Sequence, residues 1–84
     1  MLSTMNDFEK YCQIIGSGIK QRRHLMGMTQ AQLAQRLKKH RRDVIALERG
    51  KNITLKTLFK LLTVLDLDYH DLLPTLPHKK RSGE

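Results

Sequence analysis

The chain has 84 residues, of which 39% are hydrophobic and 5% aromatic, and it carries 16 Lys and Arg against 8 Asp and Glu for a formal net charge of +8. That length fits one domain with a small core, and the aliphatic composition favours helices over a sandwich or barrel. The single cysteine, Cys12, excludes an intrachain disulfide, and four histidines without a cysteine or carboxylate cluster give no zinc spacing, so no metal or other cofactor is expected.

The charge is concentrated. Between Lys20 and Lys60 lie twelve Lys or Arg residues and only two acids, Asp43 and Glu48, while the signs nearly balance outside that window. A basic middle between near-neutral ends suits a polyanionic partner. The N-terminal MLSTMNDFEKY has no basic flank followed by an apolar run, so it does not read as a secretory signal. No apolar stretch approaches membrane-spanning length, and the expected compartment is the cytoplasm.

In chain order, Phe8, Tyr11, Cys12 and Ile15 follow helical spacing, and Ile19, Arg22, Arg23 and Met26 continue on a neighbouring register. The pattern predicts a first helix from about Asp7 to Leu25, weakened by Gly16 and Gly18, in preference to a shorter one starting near Cys12, with Gly27 as a left-handed stop. Thr29 followed by Gln32 predicts a capping box, and Met28 with Leu33 a hydrophobic staple, opening a second helix from Gln30 to Leu37. Leu33, Ala34 and Leu37 form its buried stripe. After the basic turn Lys38-Lys39-His40, a third helix starts near Arg41 and stops at Gly50. Val44, Leu47 and Glu48 fall on its inner side; Arg42, Ile45, Ala46 and Arg49 fall on the outer side, which leaves Ile45 as an exposed apolar residue.

Thr54 caps a fourth helix, Leu55 to Leu65, whose expected core stripe is Leu55, Leu58, Phe59, Leu62 and Leu65, with Leu61 and Val64 outside it. Its surplus of apolar surface has two readings, burial under the N-terminal segment or a homodimer seam. Asp68 opens a short fifth helix, Tyr69 to Leu73. The tail from Pro74 to Glu84 is basic and has no core pattern, so residues 7–73 are expected to form the domain and residues 74–84 a disordered tail. The expected fold is all-α, a compact bundle of five helices with a helix-turn-helix at helices 2 and 3.

From roughly Ile15 to Leu73 the chain resembles the Cro/C1-type (XRE) helix-turn-helix family of DNA-binding repressors, in a register without a gap from Arg23 to Gly50. Ile19 and Arg23 on helix 1, Thr29-Gln30 before Leu33-Ala34, then Leu37, Val44, Leu47 and Glu48-Arg49-Gly50 carry the likeness. The resemblance implies a lambda-repressor-like domain that binds double-stranded DNA as a homodimer. It implies a structural salt bridge between Arg23 and Glu48. It places base-reading residues at Arg41, Arg42 and Ala46; the outward Ile45 beside them has two readings, packing on a thymine methyl or sugar or a tolerated surface residue. It places phosphate contacts at Gln30, Lys51 and Asn52, to which the basic turn and the end of helix 3 add Lys39, His40 and Arg49. The physical basis is general: arginine can bond guanine O6 and N7 together, and a helix N-terminus offers amides to phosphate.

At Lys38, Lys39 and His40 the chain departs from the family, most members of which carry Gly, an apolar residue and a small cap there. Lys38 in a left-handed conformation costs about 1–2 kcal/mol. Cations at the start of helix 3 oppose its dipole by about 0.3–1 kcal/mol each. The short chain and the ITLKTLFKLL segment are also similar to HipB-like antitoxins, which adds a cognate toxin as a candidate partner. Stand-alone phage-type regulators, restriction-modification controllers and a nonspecific nucleic-acid-binding protein remain open alternatives. No paired carboxylates, nucleophile–base set or phosphate loop suggests an enzyme.

Overall fold

The structure, a computed structural model, describes residues 6–72. Four helices follow one another: α1 (Asp7–Leu25), α2 (Gln30–Leu37), α3 (Arg41–Glu48) and α4 (Leu55–Val64). One further helical turn, Tyr69–Leu72, closes the described chain. No strand occurs among the described residues. The all-α expectation is met, but the five-helix count is corrected to four helices and a turn. Four residues close too few backbone hydrogen bonds to count as a helix that packs in its own right. Leu73 and the tail of residues 74–84 lie outside the described residues.

α1, α2 and α4 begin on a side chain that accepts from a free first-turn amide, whereas the His40 side chain caps no amide of α3. Asn6 Oδ1 accepts from Glu9 N at 2.8 Å, and Glu9 Oε1 accepts from Asn6 N at 3.0 Å. Thr29 and Gln32 make the same reciprocal pair, at 3.0 and 2.8 Å. Asp43 Oδ2 accepts from His40 N at 2.9 Å at the start of α3. Thr54 Oγ1 accepts from Thr57 N at 3.1 Å at the start of α4. Such caps each contribute about 1 kcal/mol.

The ends are equally regular. Gly27, Lys38, Gly50 and Asp66, which follow the four helices, all take positive φ, at 68°, 58°, 84° and 51°. After α2 the chain folds back so that Lys39 N donates to the Ala34 carbonyl at 2.9 Å, and after α4 Leu67 N donates to Leu62 at 2.8 Å. These bonds occupy carbonyls that the helix would leave open.

The core is aliphatic. Ile19 from α1, Leu33, Ala34 and Leu37 from α2, Val44 and Leu47 from α3, and Leu61 and Leu65 at α4 form it, with Met28 completing the staple onto Leu33. Removing a leucine-sized side chain from water contributes about 1.5–3 kcal/mol. The expected stripe on α4 is corrected. Leu61, expected outside, is fully buried, while Leu55 is 84% exposed and Phe59 71%. Leu58 and Leu62 are half-buried, and Thr57 takes a buried position instead. The α4 sequence is apolar around most of its circumference, so periodicity alone does not select the inner side. Thr57 can be buried because its hydroxyl accepts from the Thr54 hydroxyl at 3.0 Å.

Candidate nucleic-acid interface

The core positions three helix ends relative to one another through one carboxylate. Arg23 on α1 donates from Nε to Glu48 Oε2 at 2.5 Å and from Nη2 to Oε1 at 3.1 Å. Its Nη1 donates to the Met28 carbonyl at 2.8 Å, tying down the turn between α1 and α2. Gln30, the first residue of α2, donates from Nε2 to Glu48 Oε1 at 3.1 Å. Both charged side chains are almost entirely removed from solvent. A carboxylate buried at the end of α3 needs cationic and amide donors, and Glu48 has both.

α1 meets the end of α3 at backbone distance. A Cβ added at Gly16 would lie 2.7 Å from the carbonyl oxygens of Leu47 and Glu48, and one added at Gly50 would lie 2.7 Å from Gln13 N. Here glycine is required for close approach on one side, and for close approach together with positive φ on the other.

That frame presents α3 as follows. Val44 and Leu47 are buried. Arg41 and Arg42 in the first turn are exposed, as are Lys38, Lys39 and His40 just before them. Asp43 is the only acid in this turn. The left-handed conformation expected at Lys38 is present, with φ 58° and ψ 44°. Ile45 and Ala46 are half-buried, which corrects the expectation of an exposed Ile45. Two turns of helix hemmed in by α1 and α2 leave little of the outer face fully open.

The candidate residues therefore fall into two groups at opposite ends of α3. Lys39, His40, Arg41 and Arg42 sit at its N-terminus. Gln30, Arg49, Lys51 and Asn52 gather near its C-terminus, where Gln30 is held to Glu48. Eight residues of helix separate the two groups by about 12 Å. Arg49, Lys51 and Asn52 are exposed, whereas Gln30 is half-buried with one amide hydrogen already engaged. Asn52 has φ 58°.

Two functional contacts carry no clear mark in the sequence. The Gln30–Glu48 bond is one. The other is Arg22, whose Nε donates to the Leu65 carbonyl at 3.0 Å and whose Nη2 donates to Asp66 at 3.2 Å, holding the end of α4 against α1. An arginine next to the buried Arg23 gives no signal of which distant carbonyls it will cap.

Among the described residues no helix is long and apolar enough to cross a membrane, and no group of His, Cys, Asp and Glu is placed to hold a metal ion. No curated protein matches the chain. A family model for helix-turn-helix proteins matches residues 19–72, more than half of its length. The match begins inside α1 and takes in the Arg23–Glu48 pair, the exposed first turn of α3 and all of α4. The chain belongs to the Cro/C1-type (XRE) helix-turn-helix family of DNA-binding regulators.

Proposed function

We propose that the protein is a sequence-specific repressor that binds an inverted-repeat operator as a homodimer, each copy laying α3 in a major groove with half-sites about one helical turn apart. The observation that carries this reading is the exposed cationic first turn of α3, Arg41 and Arg42, on a helix whose other end is fixed by the buried Arg23–Glu48 pair. In this reading Arg41, Arg42, Ile45 and Ala46 face base edges. Lys39, His40, Arg49, Lys51, Asn52 and the start of α2 at Gln30 hold phosphates. A rigid helix with two arginines at one end and phosphate donors at the other suits a groove that must be entered at a fixed angle.

Footprinting of the DNA upstream of the protein's own gene supplies the operator, and anisotropy titrations on it test the roles. Arg42→Ala is expected to weaken operator binding by about 1–3 kcal/mol and to relax discrimination at one base pair. Lys51→Ala is expected to weaken binding to every duplex alike and to reduce the salt slope by about one. Unchanged operator affinity in Arg42→Ala overturns the register of α3. Equal displacement by random duplex overturns sequence specificity in favour of a nonspecific nucleic-acid binder.

The finer reading is an autoregulating antitoxin with a toxin as its protein partner. The apolar surface left open on α4 supports a protein partner of some kind. Co-purification from the native host tests it: recovery of a neighbouring-gene product with the chain supports the antitoxin, and recovery of DNA and self alone counts against it.

A further inference from the structure

α4 carries apolar side chains on two sides. Thr57, Leu61 and Leu65 close the core. On the other side Leu55, Leu58, Phe59 and Leu62, at i, i+3, i+4 and i+7, line a depression of about 660 Å³. At Phe59 it continues into a second depression of about 360 Å³ between α4 and the end of α2, bordered by Arg36, Lys38 and Lys60.

The surroundings of this stripe are one-sided. At roughly 100° per residue, Lys56, Lys60 and Thr63 fall along one flank, and Leu58 along the other. α4 contains no acid. None of Arg36, Lys38, Lys56 and Lys60 forms an ion pair with a described residue.

That asymmetry discriminates between occupants. A second copy docked antiparallel about a two-fold axis sets the lysine flank against the partner's lysine flank. A second copy docked parallel sets the lysines against the partner's apolar flank and leaves them unpaired. A helix with apolar anchors and carboxylates along one edge covers the stripe and pairs the cations together. We infer that this face of α4 docks an amphipathic helix of a partner protein that carries Asp or Glu beside its apolar stripe. The inference rests on the protein-partner part of the proposed function and stands apart from its DNA-binding part.

Two synthetic helical peptides of about 18 residues, five turns, provide the test. Both carry leucines at i, i+3, i+4 and i+7; one is flanked by glutamates and the other by lysines. Titrated into the isotope-labelled full chain, the acidic peptide is expected to shift backbone resonances of residues 55–63 and of the α2 end. The lysine peptide is expected to bind at least about 10-fold more weakly, and Phe59→Ser and Lys60→Glu each to weaken the acidic peptide by about 10-fold, the scale of an anchor residue. Leu55→Ser repeats the Phe59→Ser test at a second largely exposed position, and Phe59→Ser is expected to leave duplex DNA affinity within about 2-fold, since it removes no phosphate contact.

Shifts confined to residues 38–49, equal binding of the two peptides, or indifference to Phe59→Ser overturn the inference. So does a wild-type dimer in sedimentation equilibrium that Phe59→Ser turns into monomers, because the face then belongs to a second copy. DNA affinity is read separately, so loss of operator recognition with peptide docking intact sinks the proposed function and leaves this inference standing.

Discussion

At the scale of single residues, the most costly positions surround the candidate interface. Lys38 holds φ 58° with its side chain in solvent. A left-handed non-glycine residue costs about 1–2 kcal/mol, so Lys38→Gly is expected to raise stability by about 1 kcal/mol in urea titration. The same variant removes a cation next to α3, so DNA affinity is expected to fall as stability rises. A lower urea midpoint for Lys38→Gly is incompatible with a strained turn. The buried pair behaves differently. Arg23→Ala strands Glu48 without a cation and is expected to cost about 3–5 kcal/mol, a large part of the stability of a domain this size. Arg23→Met combined with Glu48→Leu is expected to recover most of that loss, because the charge left behind is what costs. If the double variant is as unstable as Arg23→Ala, the pair contributes through geometry that apolar packing does not replace.

Several of these residues are legible in the sequence for local reasons. Thr29 and Gln32 sit three apart before an apolar run, which is enough to specify a reciprocal cap. Lys38 falls where two helices of fixed register leave room only for a tight turn. The Gln30–Glu48 and Arg22–Leu65 bonds link residues 18 and 43 positions apart, and no local rule selects those partners. They depend on packing angles that exist only once the core has formed.

At the scale of elements, α1 and α4 show why sequence patterns succeed and fail. In α1, Gly16 lowers helix propensity by about 1 kcal/mol relative to Ala. The sequence marks it as a weak point, and the structure gives the reason: the end of α3 leaves no room for a Cβ. Gly16→Ala is therefore expected to destabilise by about 1–3 kcal/mol despite the better helix former, because the carbonyls of Leu47 and Glu48 must be pushed away. The shift displaces α3 itself, so operator affinity is expected to drop with stability. Thermal unfolding with a parallel DNA titration checks both. A Gly16→Ala variant more stable than the parent contradicts the close α1–α3 contact. In α4, by contrast, Leu55, Leu58, Phe59, Leu61, Leu62, Val64 and Leu65 ring most of the helix. The spacing 55, 58, 59, 62, 65 is as good a helical stripe as the one the core uses. Position in the bundle, not pattern, decides that Leu61 goes in and Phe59 stays out. The surplus of apolar surface is legible in the sequence, but which side of α4 stays open is decided only by the fold.

At the scale of the whole molecule, the charges that suit DNA work against the free fold. The net charge is +8, and Lys38, Lys39, Arg41 and Arg42 crowd the start of α3 with Asp43 as the one acid of its first turn to offset them. Self-repulsion of this kind weakens as the Debye length shortens from about 10 Å at 0.1 M salt to about 3 Å at 1 M. Binding to DNA has the opposite dependence, because each phosphate contact releases counterions that salt makes harder to release. About six such contacts lower affinity by roughly 10³ between 50 and 200 mM salt. Over that interval the unbound protein is expected to gain stability of up to about 1 kcal/mol, or a few degrees in Tm, while its affinity for duplex falls. Paired scans of Tm and anisotropy in sodium chloride measure the two trends on one sample series. Adding short duplex at low salt is expected to raise Tm more than salt itself does, since the polyanion neutralises the turn and binds the folded state alone. If salt lowers the Tm of the unbound protein, attractive pairs such as Arg23–Glu48 outweigh the repulsion, and the basic turn is not under electrostatic strain.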